Sequence, residues 1–180
     1  MPGQLARGLR RTLAEILKAE DLDSAMEKIR GLGVRKVISP LFALFNHRDE
    51  RVRWGAISAL GAVTAELADT GMESARVVMR RLMWNLNDES GGIGWGCPEA
   101  MGEICATHEG LAREYLRILF SYAREDGNYL ELDILQRGLL WGIGRVAQAR
   151  PEMVMGEGPN ILPYLKSEDP VVRGLAAWVA

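Results

Sequence analysis

The sequence predicts an all-α fold, a solenoid of stacked helix pairs, and three observations lead to it. A block recurs four times along 180 residues: Asp49-Glu50-Arg51-Val52-Arg53-Trp54-Gly55-Ala56, Ile93-Gly94-Trp95-Gly96-Cys97, Leu135-Gln136-Arg137-Gly138-Leu139 and Asp169-Pro170-Val171-Val172-Arg173-Gly174-Leu175-Ala176. The key apolar positions 52, 93, 135 and 172 lie 41, 42 and 37 residues apart. A period in this range belongs to helix pairs that are each too small to bury their own apolar face. Apolar residues also return at helical spacing throughout, and no segment alternates as a strand would.

The elements follow in order. Leu5, Leu9, Leu13, Ile16 and Leu17 recur at helical spacing up to about Glu20. Asp21 and Asp23 can cap a second helix bearing Leu22, Ala25, Met26 and Ile29, which Gly31 and Gly33 stop. These residues, 1–35, serve as an N-terminal helical cap, because an end repeat otherwise exposes its stacking face. Four repeats follow within a single domain, 36–70, 71–108, 109–150 and 151–180. Their outer helices are expected near 36–46, 72–86, 110–124 and 159–166, and their inner helices near 50–67, 93–107, 130–148 and 170–180. The intervening turns are rich in Asp, Glu, Asn and Ser, which accept from the orphan N–H groups of a helix start. The stretch Asn87–Gly96 is the most glycine-rich of them. Pro98 is tolerated only in a first helical turn, which would move the second inner start towards Cys97 and expose Trp95.

Asp169-Pro170-x-Val172-Arg173-x-x-Ala176 resembles the short HEAT-like repeat, also seen in phycobilin lyase-type proteins. Asp49-x-x-Val52-Arg53-x-x-Ala56 matches it with Glu50 in place of proline. Gly94 and Gln136 replace the repeat's arginine in the two middle copies. The resemblance covers about residues 36–180. It implies a right-handed α–α superhelix of about four helix pairs, armadillo-like in build. The chain also resembles uncharacterised bacterial HEAT-like proteins, which implies no activity. HEAT-like solenoids serve as scaffolds, chaperones, lyase subunits and DNA glycosylases, so the resemblance specifies architecture rather than function.

One face of the inner helices reads as core: Val52, Ala56, Ala59, Leu60 and Val63; then Ile93, Cys97, Ala100, Met101 and Ile104; then Leu135, Leu139, Gly142, Ile143 and Val146. Cys97 thus fills a core slot. Gly55, Gly96 and Gly138, and Gly61, Gly102 and Gly144 six residues later, recur at matched positions. Glycine in a helix costs about 1 kcal/mol relative to alanine, so close helix stacking must compensate. The opposite, concave face carries Trp54, Trp95 and Trp141 among small residues, with Glu99, Glu103 and Arg137 nearby. Tryptophan and arginine suit binding faces, because one side chain covers a large area and keeps a polar handle. The alternative is that the solenoid closes over these rings.

Catalytic constellations are sparse. His47 and His108 are 61 residues apart and each on a turn, without metal-ligand spacing, so no metal and no cofactor is expected. His108 suits a capping role, and Glu99 with Glu103 suits a solvated pair. The balance is net −2 without a basic stripe, which disfavours nucleic acid. No secretory leader or membrane span is visible, and two cysteines without a CxxC suit a cytoplasmic protein. The expected function is a non-enzymatic protein-interaction scaffold using the aromatic concave face. A lyase-like or small-molecule pocket around Trp95, Glu99, Glu103 and Arg137 is the alternative. Val171, Val172, Leu175, Ala176 and Trp178 leave apolar area on the last helix, which favours weak self-association.

Overall fold

The computed structural model describes the backbone of residues 2–87 and 93–180, with side chains from Arg7 onward over those ranges. The fold is all-α, and no strand occurs among the described residues. Packing divides the chain into two compact units, Met1–Arg81 and Leu82–Ala180.

The first unit begins with α1 (Pro2–Ala19) and α2 (Leu22–Leu32). Leu13 and Leu17 of the first are buried, as are Ala25, Met26 and Ile29 of the second. Asp21 caps α2 by accepting from Ser24 N at 3.0 Å and Ser24 Oγ at 2.9 Å. Then α3 (Val34–Phe42) ends four residues before the expected position 46. Its last turn tightens into i→i+3 bonds, Leu44 N to Leu41 O and Phe45 N to Phe42 O, so Leu44 and Phe45 are buried from turns rather than from a helix. Next is α4 (Glu50–Asn87), interrupted at Gly71, where the backbone is extended (φ 177°, ψ 97°). The break separates the expected inner and outer helices of the first two repeats. The inner stripe Val52, Ala56, Ala59, Leu60 and Val63 is buried without remainder. Gly55 lies against the Leu17 side chain, with room for a Cβ only at 3.0 Å. Arg81 crosses to α3, donating to Ser39 Oγ at 2.8 Å and standing 4.2 Å over the Phe42 ring.

The second unit holds the end of α4, then α5 (Cys97–Thr107), α6 (Glu109–Ser121) and α7 (Asp133–Ala149). It closes with α8 (Pro151–Val154), α9 (Gly158–Ile161), a 3-10 turn (Leu162–Lys166) and α10 (Pro170–Val179). The second inner helix therefore starts at Cys97, not Ile93: Pro98 occupies its first turn and Gly96 precedes it with φ 73°, a left-handed conformation. Ile93 is consequently 40% exposed and leaves the core stripe. Gly96 is a cap rather than a helical stacking residue. The third inner helix starts at Asp133 rather than 130, although Leu130 is still buried. The fourth outer helix is not continuous over 159–166, because Pro163 removes an N–H and the chain tightens into the 3-10 turn. Residues 88–92, the middle of the glycine-rich turn, and the Leu5 side chain lie outside the described residues.

Within this unit α5 pairs with α6, and α7 packs between α5 and α10. Gly102 meets Gly142 so closely that a Cβ on Gly102 would overlap the Gly142 backbone, and a Cβ on Gly142 would stand 2.7 Å from Pro98 O. Gly144 holds the Trp178 ring of α10 in the space a Cβ would take. Gly102, Gly142 and Gly144 are thus sites of close approach. His108 caps α6, its Nδ1 accepting from Leu111 N at 3.1 Å, and Asp169 caps α10, accepting from Val171 N and Val172 N at 2.8 and 3.0 Å. Cys97 and Cys105 are both buried thiols, and burial pushes Cys105 up to about 12, which keeps it protonated and inert.

Candidate interaction site

The sequence-derived face divides between the two units. In the first, Trp54 is half-buried beside Gly55 and lines a cleft of about 280 Å³ that also takes in Leu17 and Arg51. Arg51 anchors that cleft by donating from Nη2 to Glu20 O at 2.8 Å.

The second unit brings Trp95, Glu99, Glu103, Arg137 and Trp141 onto the entry of α5, α5 itself and α7. Trp95 stands just ahead of α5 and is 40% exposed. Glu99, in the first turn of α5, lays its carboxylate over Gly138 of α7, where any Cβ would collide with it. Trp141 is half-buried on α7, and Trp178 of α10 is 44% exposed on the next helix. By repeat register, Glu99, Trp141 and Trp178 occupy one equivalent position on three successive inner helices. Sequence reading had placed Trp178 only among the terminal apolar residues. Its place in the same row was visible in the spacing from Val172, six residues, which matches that of Trp141 from Leu135.

Glu103 and Arg137, the other charged residues of this face, are engaged within the protein. Glu103 accepts from Arg145 Nε at 2.9 Å and Arg145 Nη2 at 3.3 Å. Arg137 donates from Nε at 3.1 Å, and also from Nη2, to Asp169 Oδ2. The Arg137 guanidinium, together with the α10 backbone N–H groups, holds the Asp169 carboxyl below its usual range. Both pairs bridge successive inner helices. Glu103 and Arg137 pair with different partners, and a pocket built on those two charges would first have to break both bridges. Arg145 was the residue missed, since a partner on the neighbouring helix has no signature in local spacing. No group of three or more His, Cys, Asp or Glu side chains able to hold a metal occurs among the described residues. No described helix is long and apolar enough to cross a membrane.

No family model matches the sequence. An uncharacterized protein of Archaeoglobus fulgidus is 28% identical over 134 residues, 72% of this chain and 62% of that protein. The chain therefore spans less than two thirds of that relative. Among solved structures, an engineered protein overlays 94% of this chain and 71% of its own at TM-score 0.57 and 18% identity. A designed armadillo repeat protein overlays 93% and 79% at TM-score 0.49 and 18% identity. Identities this low speak to fold alone, and the fold is an all-α helical repeat.

Proposed function

We propose that the chain is a non-enzymatic protein-interaction scaffold, and that its contact face is the tryptophan-bearing side of the inner helices. The observation that carries this reading is the exposure of large rings where a solvated helix face would be polar: Trp95 at 40% and Trp178 at 44%, beside half-buried Trp141. A ring held in a glycine notch, as Trp178 is by Gly144, loses little freedom on binding, which suits an interface anchor. Residues 36–70, 71–108, 109–150 and 151–180 serve as the HEAT-like repeats, and 1–35 as their cap. Glu99, Glu103, Arg137 and Trp141 frame the exposed rings of the Leu82–Ala180 unit, the ion pairs supplying rigidity, and Trp54 is the corresponding ring of the Met1–Arg81 unit. The bridges made by Glu103 and Arg137 weigh against the lyase-like pocket, and the net charge of −2 against nucleic acid. Weak self-association through α10 and a cytoplasmic setting complete the proposal; Val171 and Trp178 are both exposed on that helix.

The test is affinity capture from a lysate of the source cell with the intact chain, Trp95→Ala and Trp141→Ala. Trp95→Ala should keep the melt within about 1 kcal/mol of the parent and weaken partner binding by about 2 kcal/mol. Retention of the same partner at full strength by both variants would overturn the assignment of the face.

A further inference from the structure

The two units carry opposite charge. Residues 1–81 hold 14 Lys and Arg against 10 Asp and Glu, whereas residues 82–180 hold 8 against 14. The first unit is therefore net +4 and the second net −6, an imbalance hidden in the overall −2. Unlike units of two copies of the chain attract each other, and like units repel.

The last helix supplies a surface on which that attraction can act. An inner helix of this fold is covered on two sides, as α7 is between α5 and α10, whereas α10 packs on α7 and the 3-10 turn. Val171, Gly174 and Trp178 share one face of α10 by their i, i+3 and i+7 spacing, and all three are exposed. A Cβ on Gly174 would meet nothing within 4 Å, so the middle of this stripe is open to the close approach of another helix. The surrounding segment is acidic: within residues 151–180, Glu152, Glu157, Glu168 and Asp169 outnumber Lys166 and Arg173.

Helix α1 is the complement in the first unit. It carries Arg7, Arg10, Arg11 and Lys18, all exposed, against Glu15 alone. Leu13 and Leu17 are buried inward, and Leu9 and Ile16 beside them are half-buried. An apolar edge bordered by cations thus stands in one unit, and an apolar stripe among carboxylates in the other. A symmetric α10–α10 contact would bury the same stripe, but it would bring two net-negative units together. Pairing α10 with α1 buries apolar area under attraction instead.

We infer that α10 of one copy docks on α1 of a second copy, a contact between unlike surfaces. The inference rests on the reading that the chain self-associates through α10, and it names the surface that receives that helix.

The test is sedimentation velocity of the full chain at tens of micromolar, with circular dichroism confirming each variant's fold. The parent should associate at about 0.05 M NaCl and weaken by about tenfold in Kd at about 0.5 M, where screening removes the attraction. A symmetric α10 contact would tighten instead, because salt relieves its repulsion. Val171→Gln/Gly174→Gln, which places polar side chains at two exposed positions of the stripe, should be monomeric. Arg10→Glu/Arg11→Glu, which reverses the sign of α1, should be monomeric as well. An equimolar mixture of these two variants should form a complex of one of each, since one keeps α1 and the other keeps α10. Arg35→Glu/Lys36→Glu, the same charge change on exposed residues of α3, should leave most of the association intact. An equal loss in the two charge-reversed variants overturns the inference in favour of unit-wide attraction. Association that strengthens with salt, or a mixture that stays monomeric, also overturns it. A parent that is monomeric at both salt concentrations overturns it together with the self-association reading. Trp95→Ala should associate as the parent does, so the tryptophan face and this contact fail separately.

Discussion

The two stacking joints of the Leu82–Ala180 unit use the same register in opposite ways. Gly102 of α5 and Gly144 of α7 are equivalent positions, nine residues after Ile93 and Leu135. At the α5–α7 joint, Gly102 meets backbone: Gly142 lies against it with no side chain between. At the α7–α10 joint, Gly144 meets the ring of Trp178, which fills the notch yet is still 44% exposed. One glycine brings two main chains together, and the other seats a tryptophan. The Trp178 ring is therefore neither wholly core nor wholly groove: it is seated on one side by Gly144 and open on the other. That is the arrangement expected of an interface anchor whose rotamer is settled before binding.

The largest effect that would break this comparison is at the first joint. Gly102→Ala must force α5 and α7 apart, because backbone cannot swing away. Overpacking of this kind costs typically 1–3 kcal/mol and occasionally more, against which alanine returns about 1 kcal/mol of helix propensity. A net loss of about 2 kcal/mol is expected in a urea melt, with Gly142→Ala behaving alike. A variant as stable as the parent would mean that the helices are not in backbone contact.

Next in size is the ion pair at each joint. Asp169 both caps α10 and receives Arg137, so Asp169→Ala should lower the urea midpoint measurably, since it removes cap and ion pair together. Asp169→Asn keeps a good cap and removes only the charge, and should cost less. The Asp169 carboxyl is held below its unfolded value, so its contribution is present above the unfolded pKa and is lost as pH falls through the folded one. Urea melts of the parent and of Asp169→Asn should therefore converge at acid pH, below the usual carboxylate range. A gap that widened on acidification would contradict the pairing.

The residues explain how much was legible in the sequence. The core stripe from Val52 to Val63 and from Leu135 to Val146 obeys a local 3.6-residue period, so its burial follows from spacing alone. The caps at Asp21, His108 and Asp169 are likewise local. Pro98 signalled the late start of α5, and Pro163 carried a similar warning for the broken outer helix near α9. By contrast, Glu103–Arg145 and Arg137–Asp169 join residues 42 and 32 apart, on helices whose relative register no local pattern states. The same holds for Trp178 in the Gly144 notch. Gln136 stands out by spacing as a departure from the repeat's arginine, but its bonds to Leu130 O and Tyr129 Oη, which tie the turn to α7, appear only in the folded chain.

A smaller effect sharpens the contrast between the joints. Gly144→Ala displaces a ring whose outer edge can rotate into solvent, so helix propensity offsets much of the cost and the net loss should stay under about 1 kcal/mol. In a Trp178→Ala background the same change should become neutral or stabilising, giving a coupling energy of about 1 kcal/mol in a double-mutant cycle. Additive effects would show that the ring does not occupy the notch.

The smallest effect has the opposite sign. Gly174 lies within α10, at the register held by Trp54, Trp95 and Arg137 in the other copies, and a Cβ there meets nothing within 4 Å. Its backbone is helical and outside the positive-φ set, so alanine adopts it without strain. With no clash to oppose it, the substitution acts on the unfolded chain and on helix propensity, and Gly174→Ala should stabilise by about 0.4–1 kcal/mol. The three glycine substitutions then order by what each Cβ meets: backbone at Gly102, a displaceable ring at Gly144, open space at Gly174. If Gly174→Ala destabilises instead, α10 has a neighbour on that face, and the tryptophan row would lose the open side that the interaction reading requires.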